Sequence, residues 1–239
     1  DHWQSRGLGD VYKRQKESLS GISRKGKLLI FDLEHYSIIF HLGMSGRIQV
    51  NDKKNKHTRA RFYFDKDTVN FDDIRRFGFI NIIKAELKID YLNKIGPDVL
   101  EISTKQSRII IDKSKKSKSL IKDFILNQKY MSGVGNIYAN EILFASRIHP
   151  KTKVNALSSN NWEDFFKNTK KIMQLAIKNN GTTLSDMTYF LPYGEFGSNQ
   201  NFLKIYSKTN CFNCEHIIDK IYINQRATYF CRKCQKLKN

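Results

Sequence analysis

Short runs of alternating hydrophobic and polar residues fill the segment from residue 27 to residue 83. Aromatic and β-branched residues are common in these runs, and glycine-containing or polar turns such as Ser45-Gly46 separate them. A period of two with such turns predicts β-strands. Several short strands in one segment favour an antiparallel sandwich or barrel. The predicted strands are Lys27–Leu33, Tyr36–Phe40, Arg59–Phe64, Val69–Phe71 and Phe77–Ile83.

The hydrophobic period changes to that of a helix after residue 118. Apolar residues recur at intervals of three and four, which predicts amphipathic helices at Ser119–Gln128, Asn136–Ser146 and Asn161–Lys178. Asn160 and Glu163 form a plausible capping pair for the longest helix. A shorter helix is expected after Gly181-Thr-Thr.

These changes of pattern predict an α+β multidomain protein. Residues 1–15 read as an unmatched tail and residues 101–118 as a linker that ends in a lysine-rich run. Residues 16–100, between the tail and the linker, are predicted to form the β-sandwich domain. Residues 119–200, after the linker, are predicted to form the helical domain. Residues 201–239 make a third, small module.

That last module contains the only cysteines of the chain, in two C-x-x-C pairs: Cys211, Cys214, Cys231 and Cys234. Two such knuckles at this separation are the ligand pattern of a zinc ribbon, in which four thiolates surround one structural Zn²⁺. The alternative is a pair of disulfides in a secreted domain. Reduced cysteines binding zinc fit the rest of the sequence better, because nothing in it looks secreted.

The charge of the chain points to a polyanionic partner. Lys and Arg number 42 against 23 Asp and Glu, which gives a formal net charge of +19. Such a field attracts nucleic acid and makes binding dependent on salt. A lysine-rich genome is the alternative explanation of the composition. No apolar run has membrane-spanning length, and we expect an intracellular, cytoplasmic protein without a signal peptide.

Three glycine-containing motifs are candidates for binding. Met131-Ser-Gly-Val-Gly-Asn-Ile-Tyr138 precedes a helix, whose free N–H groups can bind a phosphate, although an ordinary helical turn explains the glycines equally well. Asp72-Asp-Ile-Arg-Arg-Phe-Gly78 combines arginines that can bind a base edge with a phenylalanine that can wedge into a stack. Its alternative is a surface ion pair beside a core Phe77. Met44, in His41-Leu-Gly-Met-Ser-Gly-Arg47, is either a core residue or an exposed apolar finger.

Taken together, the motifs resemble those of bacterial formamidopyrimidine-DNA glycosylases, over roughly residues 18–236. They occur in the family order: Arg24-Lys-Gly-Lys27, His41 to Gly46, Arg75-Arg-Phe-Gly78, Ile95-Gly-Pro97, Gly133 to Glu141, Gly181-Thr-Thr-Leu184, Gln225-Arg-Ala-Thr228 and the four cysteines. The resemblance implies a β-sandwich, a helix–two-turn–helix domain and a zinc ribbon around a DNA groove. It also implies a monomer that excises oxidised purines, chiefly 8-oxoguanine and formamidopyrimidines, and cleaves the abasic site by β,δ-elimination through a Schiff base.

The resemblance assigns roles to individual residues. Met44 would fill the hole left by the flipped base, Arg75 would contact the orphaned cytosine, and Phe77 would wedge the opposite stack. Phosphates around the lesion would be held by Lys27, His41, Asn136 and Arg226. The stretch Gly194–Asn201 falls where the family has a loop over the flipped base, but its sequence departs from the usual pattern. Ile74 and Tyr206-Ser-Lys208 are further departures.

The most serious departure concerns the catalytic amine. Family members use an N-terminal proline as nucleophile and the adjacent glutamate as acid–base partner, and the 239 residues contain no Pro-Glu dipeptide. We therefore expect an N-terminally truncated chain that is inactive or nearly so, with Lys27 as an accessory lysine of the site. A non-catalytic damaged-DNA-binding protein and an endonuclease VIII-like glycosylase for oxidised pyrimidines are the alternatives.

Overall fold

The protein is described by a computed structural model, which defines residues 17–184 and 189–237. In the described part of the first module, seven antiparallel strands form two sheets: β1 (Leu19–Lys25), β2 (Leu28–Leu33), β3 (Tyr36–His41), β4 (Gly46–Val50), β5 (Thr58–Tyr63), β6 (Thr68–Asp73) and β7 (Phe79–Lys84). One sheet has the order β1-β2-β3-β7 and the other β4-β6-β5. The two sheets pack face to face over a shared core of Phe31, Ile38, Phe40, Ile48, Val69 and Phe71. The predicted sandwich is confirmed.

The predicted strands differ from the observed ones by one or two residues at their ends, with two omissions. β1 was not predicted because most of its residues are exposed, so its sequence lacks a buried alternating face. β4 was not predicted because it begins at Gly46, which the sequence assigns to a turn. The last predicted strand begins too early, since Phe77 lies in a loop and β7 starts at Phe79.

Among the residues that the structure describes, five α-helices follow: α1 (Lys88–Asn93), α2 (Thr104–Lys115), α3 (Ile121–Leu126), α4 (Asn136–Ala145) and α5 (Ser159–Lys178). Short 3-10 turns occupy Ala85–Leu87, Val154–Ala156 and Asn199–Phe202. The helices pack around a second core that includes Phe124, Met131, Ile142, Trp162 and Phe165, each almost without solvent exposure. Within the described residues, no helix has the length and apolar character needed to cross a membrane.

The segment predicted to be a linker, residues 101–118, contains α2 instead. A capping box at Ser103 and Gln106 starts this helix, and Ile110 and Ser114 are buried on its inner side. The lysine-rich composition obscured this pattern, because Lys113 and Lys115 occupy the last helical turn, where cations are favourable. The helix packs on the helical core and is no solvated hinge.

The other helix boundaries need smaller corrections. α3 is shorter than predicted, and the longest helix begins two residues earlier, with a capping box formed by Ser158 and Asn161. Asn160 and Glu163 are therefore not its capping pair. The helix expected after Gly181 falls partly on residues 185–188, outside the described part of the chain.

The C-terminal module is a hairpin of β8 (Asp219–Ile223) and β9 (Arg226–Phe230). Its two turn residues, Asn224 and Gln225, both have positive φ, of 46° and 61°. This is the geometry of a tight two-residue hairpin turn. The hairpin is attached to the helices by hydrogen bonds from the Tyr229 amide to Asn140 Oδ1 and from Gln235 to the Ile148 carbonyl.

Candidate nucleic-acid interface

The four cysteine sulfurs lie together at the base of the C-terminal hairpin. All four Sγ atoms fall within 4.8 Å of one another, and three of the separations are 3.5, 3.6 and 3.8 Å. A tetrahedral zinc ion with Zn–S bonds of about 2.3 Å places its sulfurs about 3.8 Å apart. A disulfide requires an S–S distance of about 2.05 Å, and all four thiols are free. The cluster can therefore hold one metal ion.

Lys27 follows a turn that is fixed to the helical domain. Gly26 in this turn has φ +58°, and a side chain there would place its Cβ 2.6 Å from Ser132 Cβ. The Asp98 carboxylate accepts hydrogen bonds from the Gly26 amide at 2.6 Å and from Arg24 at 2.5 Å. Burial would raise the pKa of Asp98, but the hydrogen bonds from Arg24, Leu100 and Gly26 outweigh it and lower that pKa. The ionised Asp98 carboxylate thus fixes the position of the turn from which the Lys27 side chain extends.

The Lys27 ammonium lies against the N-terminus of α4. Its Nζ is 3.7 Å from the Cβ position built on Gly135, the N-cap of that helix. Although part of the side chain reaches solvent, desolvation of the ammonium lowers the pKa of Lys27, and the nearby Arg226 lowers it further. The Lys27 ammonium, the Arg226 guanidinium and the N-terminus of α4 therefore create one region of positive potential.

Lys122, on α3, is a fully buried lysine at this same place. It donates to the Ala227 carbonyl at 3.0 Å and to Thr228 Oγ1 at 2.5 Å. Burial lowers its pKa to about 8, and Arg226 lowers it too, against a smaller opposite effect of Asp123. The sequence reasoning missed this residue. No local pattern marks it, because Lys122 stands next to Asp123 in the short helix Ile121–Leu126 and looks like a surface residue.

Asn136 and Arg226 complete the group. Asn136 Nδ2 donates to the Ala227 carbonyl at 3.1 Å, and its Oδ1 is buried with no hydrogen-bond partner in the described part of the chain. Arg226, the first residue of β9, is exposed. We call Lys27, Lys122, Asn136 and Arg226 the cationic junction. It draws one residue from each of four segments in three modules.

His41 lies beside the junction, at the end of β3. Its ring stacks on Phe79 with 5.2 Å between centroids, and its Nδ1 accepts from the Gly43 amide at 3.2 Å. Burial and the neighbouring Lys27 lower the pKa of His41, so it is mainly neutral at pH 7. Lys27 and His41 line a cleft of about 310 Å³ together with Tyr91 and Gln128. The structure thus brings all four residues predicted to bind phosphate into one region.

Two loops, residues 42–46 and 74–78, project from the sandwich side by side, and we call them the paired loops. Met44 is 65% exposed and Phe77 is 55% exposed, so neither is a core residue. The Arg75 guanidinium lies over the Phe77 ring, 4.9 Å from its centroid. The core interpretations of Met44 and Phe77 are wrong. The structure presents Met44, Arg75 and Phe77 to solvent together.

Asp73 holds the paired loops to each other. Its carboxylate accepts from Ser45 Oγ at 2.6 Å, from the Gly78 amide at 2.7 Å and from the Arg75 amide at 3.2 Å. Burial would raise the pKa of Asp73, yet these hydrogen bonds outweigh it and lower that pKa. At neutral pH an ionised carboxylate therefore fixes both loops, which explains how large apolar side chains stay exposed in defined positions.

The residues just before the segment predicted to cover a flipped base, Phe190 to Pro192, contact the sandwich. Arg47 lies 4.2 Å from the centroid of the Phe190 ring, and the Val50 amide donates to the Pro192 carbonyl at 3.1 Å. Gln49 donates to the Leu191 carbonyl at 3.2 Å. Part of the stretch Gly194–Asn201 belongs to the 3-10 turn Asn199–Phe202. Its contact with a flipped base stays a prediction.

Comparison with protein families identifies both large modules. Residues 10–80 match the formamidopyrimidine-DNA glycosylase N-terminal domain, and residues 95–188 match the H2TH domain of formamidopyrimidine-DNA glycosylase. The first match begins within the tail predicted over residues 1–15. The second begins before the predicted linker.

Relatives and solved structures agree with these matches. The chain is 37% identical to a formamidopyrimidine-DNA glycosylase of Listeria monocytogenes, covering 92% of this chain and 82% of that protein. It is 38% identical to one of Mycoplasma genitalium, covering 93% and 80%. The Lactococcus lactis Fpg in complex with DNA containing an abasic site superimposes with a TM-score of 0.87 at 30% identity, over 96% of this chain and 87% of that one. The MutM (Fpg) protein of Thermus thermophilus gives 0.84 at 29% identity, over 93% and 85%.

Proposed function

Because the chain belongs to the formamidopyrimidine-DNA glycosylase family, we propose that it recognises oxidised purines, chiefly 8-oxoguanine and formamidopyrimidines, in duplex DNA. One observation carries this proposal. The cationic junction and the paired loops present phosphate-binding groups and exposed apolar wedges on the same molecule, each held by hydrogen bonds within the fold. Repair of a base inside a duplex requires contacts that bind the DNA backbone and side chains that help to extrude the nucleotide.

The junction binds the sugar–phosphate backbone around the lesion in this proposal. Arg226 is exposed and Lys27 reaches solvent, so both can meet a phosphate directly. Lys122 and Asn136 hold the Ala227 carbonyl and thereby position Arg226. A phosphate that enters this group offsets the mutual repulsion of its cations, which favours binding.

The paired loops replace the extruded base. Met44 fills the space left in the stack, Arg75 hydrogen-bonds the orphaned cytosine, and Phe77 wedges between bases of the opposite strand. An inserted apolar side chain compensates for part of the stacking energy lost on extrusion. Methionine with Arg-x-Phe supports oxidised purines as substrates over the pyrimidines of the endonuclease VIII branch.

The four cysteines bind one structural zinc ion in this scheme. Their separations fit tetrahedral coordination, and thiolates are ligands that zinc prefers. The zinc holds the base of the β8–β9 hairpin and so keeps Ala227, Thr228 and Arg226 at the junction. It has no part in the chemistry.

Excision followed by strand cleavage, the reaction that the family resemblance implies, needs an amine that attacks the sugar C1′ and an acid beside it. The 239 residues contain no Pro-Glu dipeptide to supply these groups. Lys27 has a lowered pKa and lines the cleft beside His41, but no described carboxylate forms a salt bridge with it. We propose that this 239-residue chain binds lesion DNA but does not excise the base efficiently.

Borohydride trapping on a duplex with 8-oxoguanine opposite cytosine, with binding to the same duplex measured in parallel, tests this proposal. We expect binding without a covalent adduct. An adduct that disappears in Lys27→Met would show that Lys27 acts as the nucleophile and would overturn the proposed deficiency. No preference for the lesion duplex over an undamaged duplex would overturn the recognition function itself.

A further inference from the structure

A second concave surface lies on the helical domain, at the C-terminal half of α4. Phe144 and Ala145 from α4, Ile172 and Leu175 from α5, and Leu203 form its apolar floor. Phe202 stands at its edge and is 51% exposed, and the opening has a volume of about 280 Å³. We call this the α4–α5 cleft. A mostly apolar concave surface of this kind accommodates one large side chain of a partner.

Two lysines, Lys171 and Lys204, flank the apolar floor. Neither forms a salt bridge with any described residue. Lys204 instead lies over the exposed ring of Phe212, 4.3 Å from its centroid. The rim of the cleft therefore offers two cations that are available to a carboxylate partner.

The acidic residue that lines the cleft does not cancel this charge. Glu141 is buried, and its carboxylate accepts hydrogen bonds from the amides of Lys204, Ile205 and Tyr206 at 2.9, 3.0 and 2.8 Å. These bonds stabilise its negative charge internally and fix the backbone of Lys204. The accessible charge at the rim is thus positive.

The cleft is separate from the cationic junction. The junction meets α4 at Asn136, the first residue of the helix, whereas the cleft begins at Glu141 and extends to Ala145. At a rise of about 1.5 Å per residue, these positions are roughly 7–14 Å apart along the helix axis. A concave apolar floor also suits a side chain better than the regular phosphate surface of a duplex.

From this geometry we infer that the α4–α5 cleft is a docking site for an acidic protein segment with an apolar anchor. The anchor, an aromatic or large aliphatic side chain, enters between Ile172, Leu175 and Phe202. Carboxylates that flank the anchor pair with Lys171 and Lys204. Charge complementarity selects this occupant, because a basic or neutral segment would leave both lysines without a carboxylate partner. The bound segment leaves the cationic junction free for DNA.

Fluorescence anisotropy with a labelled acidic peptide tests the inference. The peptide is rich in Asp and Glu around a central Leu-Phe pair, and a matched peptide has both apolar residues replaced by serine. We expect saturable binding of the first peptide and at least about tenfold weaker binding of the second. Lys171→Glu and Phe202→Ser should each weaken binding of the first peptide about tenfold.

Lys170→Glu is the control, since it makes the same charge change one residue away on α5, outside the cleft. It should change the affinity little. Equal effects of Lys170→Glu and Lys171→Glu, equal binding of the two peptides, or no binding at all would overturn the inference. So would full competition by a short undamaged duplex, because that result would place the peptide at the cationic junction.

Discussion

The paired loops and the cationic junction serve one proposed function but are built in opposite ways. Each loop comes from one continuous segment of the sandwich, and a single carboxylate, Asp73, fixes both. The junction instead collects its residues from the turn before β2, α3, the start of α4 and the β8–β9 hairpin. Its geometry depends on how three modules pack together.

The difference lies in where each region derives its stability. The loops expose Met44, Arg75 and Phe77, and their framework is held by Asp73, Ser45 and backbone amides. A change of an exposed side chain there therefore leaves the framework intact. The junction buries Lys122 and joins it to the ribbon through the Ala227 carbonyl. Changes in the junction therefore affect folding and binding together.

Loss of the metal should show the largest difference between the two regions, because it should affect the cationic junction and not the paired loops. Cys214→Ser removes one of four thiolates, and we expect loss of zinc, disorder of the β8–β9 hairpin and a decrease in DNA affinity of about a hundredfold or more. Zinc content by atomic spectroscopy and affinity for the lesion duplex measure this. Asn213→Ala, in the same knuckle, should retain both. A Cys214→Ser protein that lacks zinc but binds normally would contradict the role given to the hairpin.

Gly43→Ala should disrupt the close contact between the two paired loops. The new Cβ would lie 2.7 Å from the Phe77 carbonyl carbon and 2.8 Å from the Gly78 nitrogen, at a backbone φ of +61°. We expect a loss of unfolding free energy of about 1–3 kcal/mol, measured by urea titration. Gly21→Ala adds the same methyl group where no atom lies within 4 Å, and it should change stability by less than about 0.5 kcal/mol. Equal effects of the two variants would show that the loops do not depend on this contact.

Met44→Ala tests whether the exposed side chains of the loops act only in binding. Because Met44 is 65% exposed, its truncation should leave the melting temperature unchanged. Affinity for the 8-oxoguanine duplex should fall about tenfold, as expected for loss of an inserted side chain. Ile22→Ala removes a similarly exposed aliphatic group, 59% exposed on β1, and should change neither quantity. A large loss of stability in Met44→Ala would assign it to the core after all.

The pH dependence of stability tests the buried lysine of the junction. Its pKa of about 8 lies below the ordinary value of 10.5, so the unfolded chain holds more protons between these pH values. The penalty for burying charged Lys122 is therefore full below pH 8 and disappears as the pH rises toward 10.5. The stability of wild type relative to Lys122→Met should rise by about 1 kcal/mol or more over this range.

Urea unfolding at several pH values measures this difference. Lys118→Met, which changes an exposed lysine shortly before α3, should show no such rise relative to wild type. A flat difference for Lys122→Met as well would mean that Lys122 keeps an ordinary pKa.

The contrast between the regions also explains what could be predicted from the sequence. Met44, Arg75 and Phe77 could be assigned roles because the compact motifs that contain them resemble those of the family, and these roles stay predictions. The cysteine cluster was recognised because metal geometry fixes the spacing of its ligands. The sandwich and the helices α3, α4 and α5 followed from hydrophobic periods alone, apart from their exact ends.

Lys122, Asp98 and α2, whose environments depend on packing between distant segments, were not predicted from the sequence. Lys122 looks like a surface lysine until the β8–β9 hairpin covers it, and Asp98 has no motif that links it to Gly26 and Lys27. α2 was taken for a linker because its lysines outweighed the buried Ile110 and Ser114 in the pattern. In each case a contact between distant segments decides the environment, and no local period records it.

DNA affinity as a function of salt concentration, measured on 8-oxoguanine and undamaged duplexes, tests the separate roles of the cationic junction and the paired loops most directly. Arg226→Ala and Phe77→Ala are compared with wild type. Arg226→Ala should weaken binding to both duplexes equally and reduce the slope of log K against log salt by about 1. Phe77→Ala should keep the slope and weaken only lesion binding. If Arg226→Ala reduced lesion preference while Phe77→Ala reduced the salt slope, the roles assigned to the junction and the loops would be wrong.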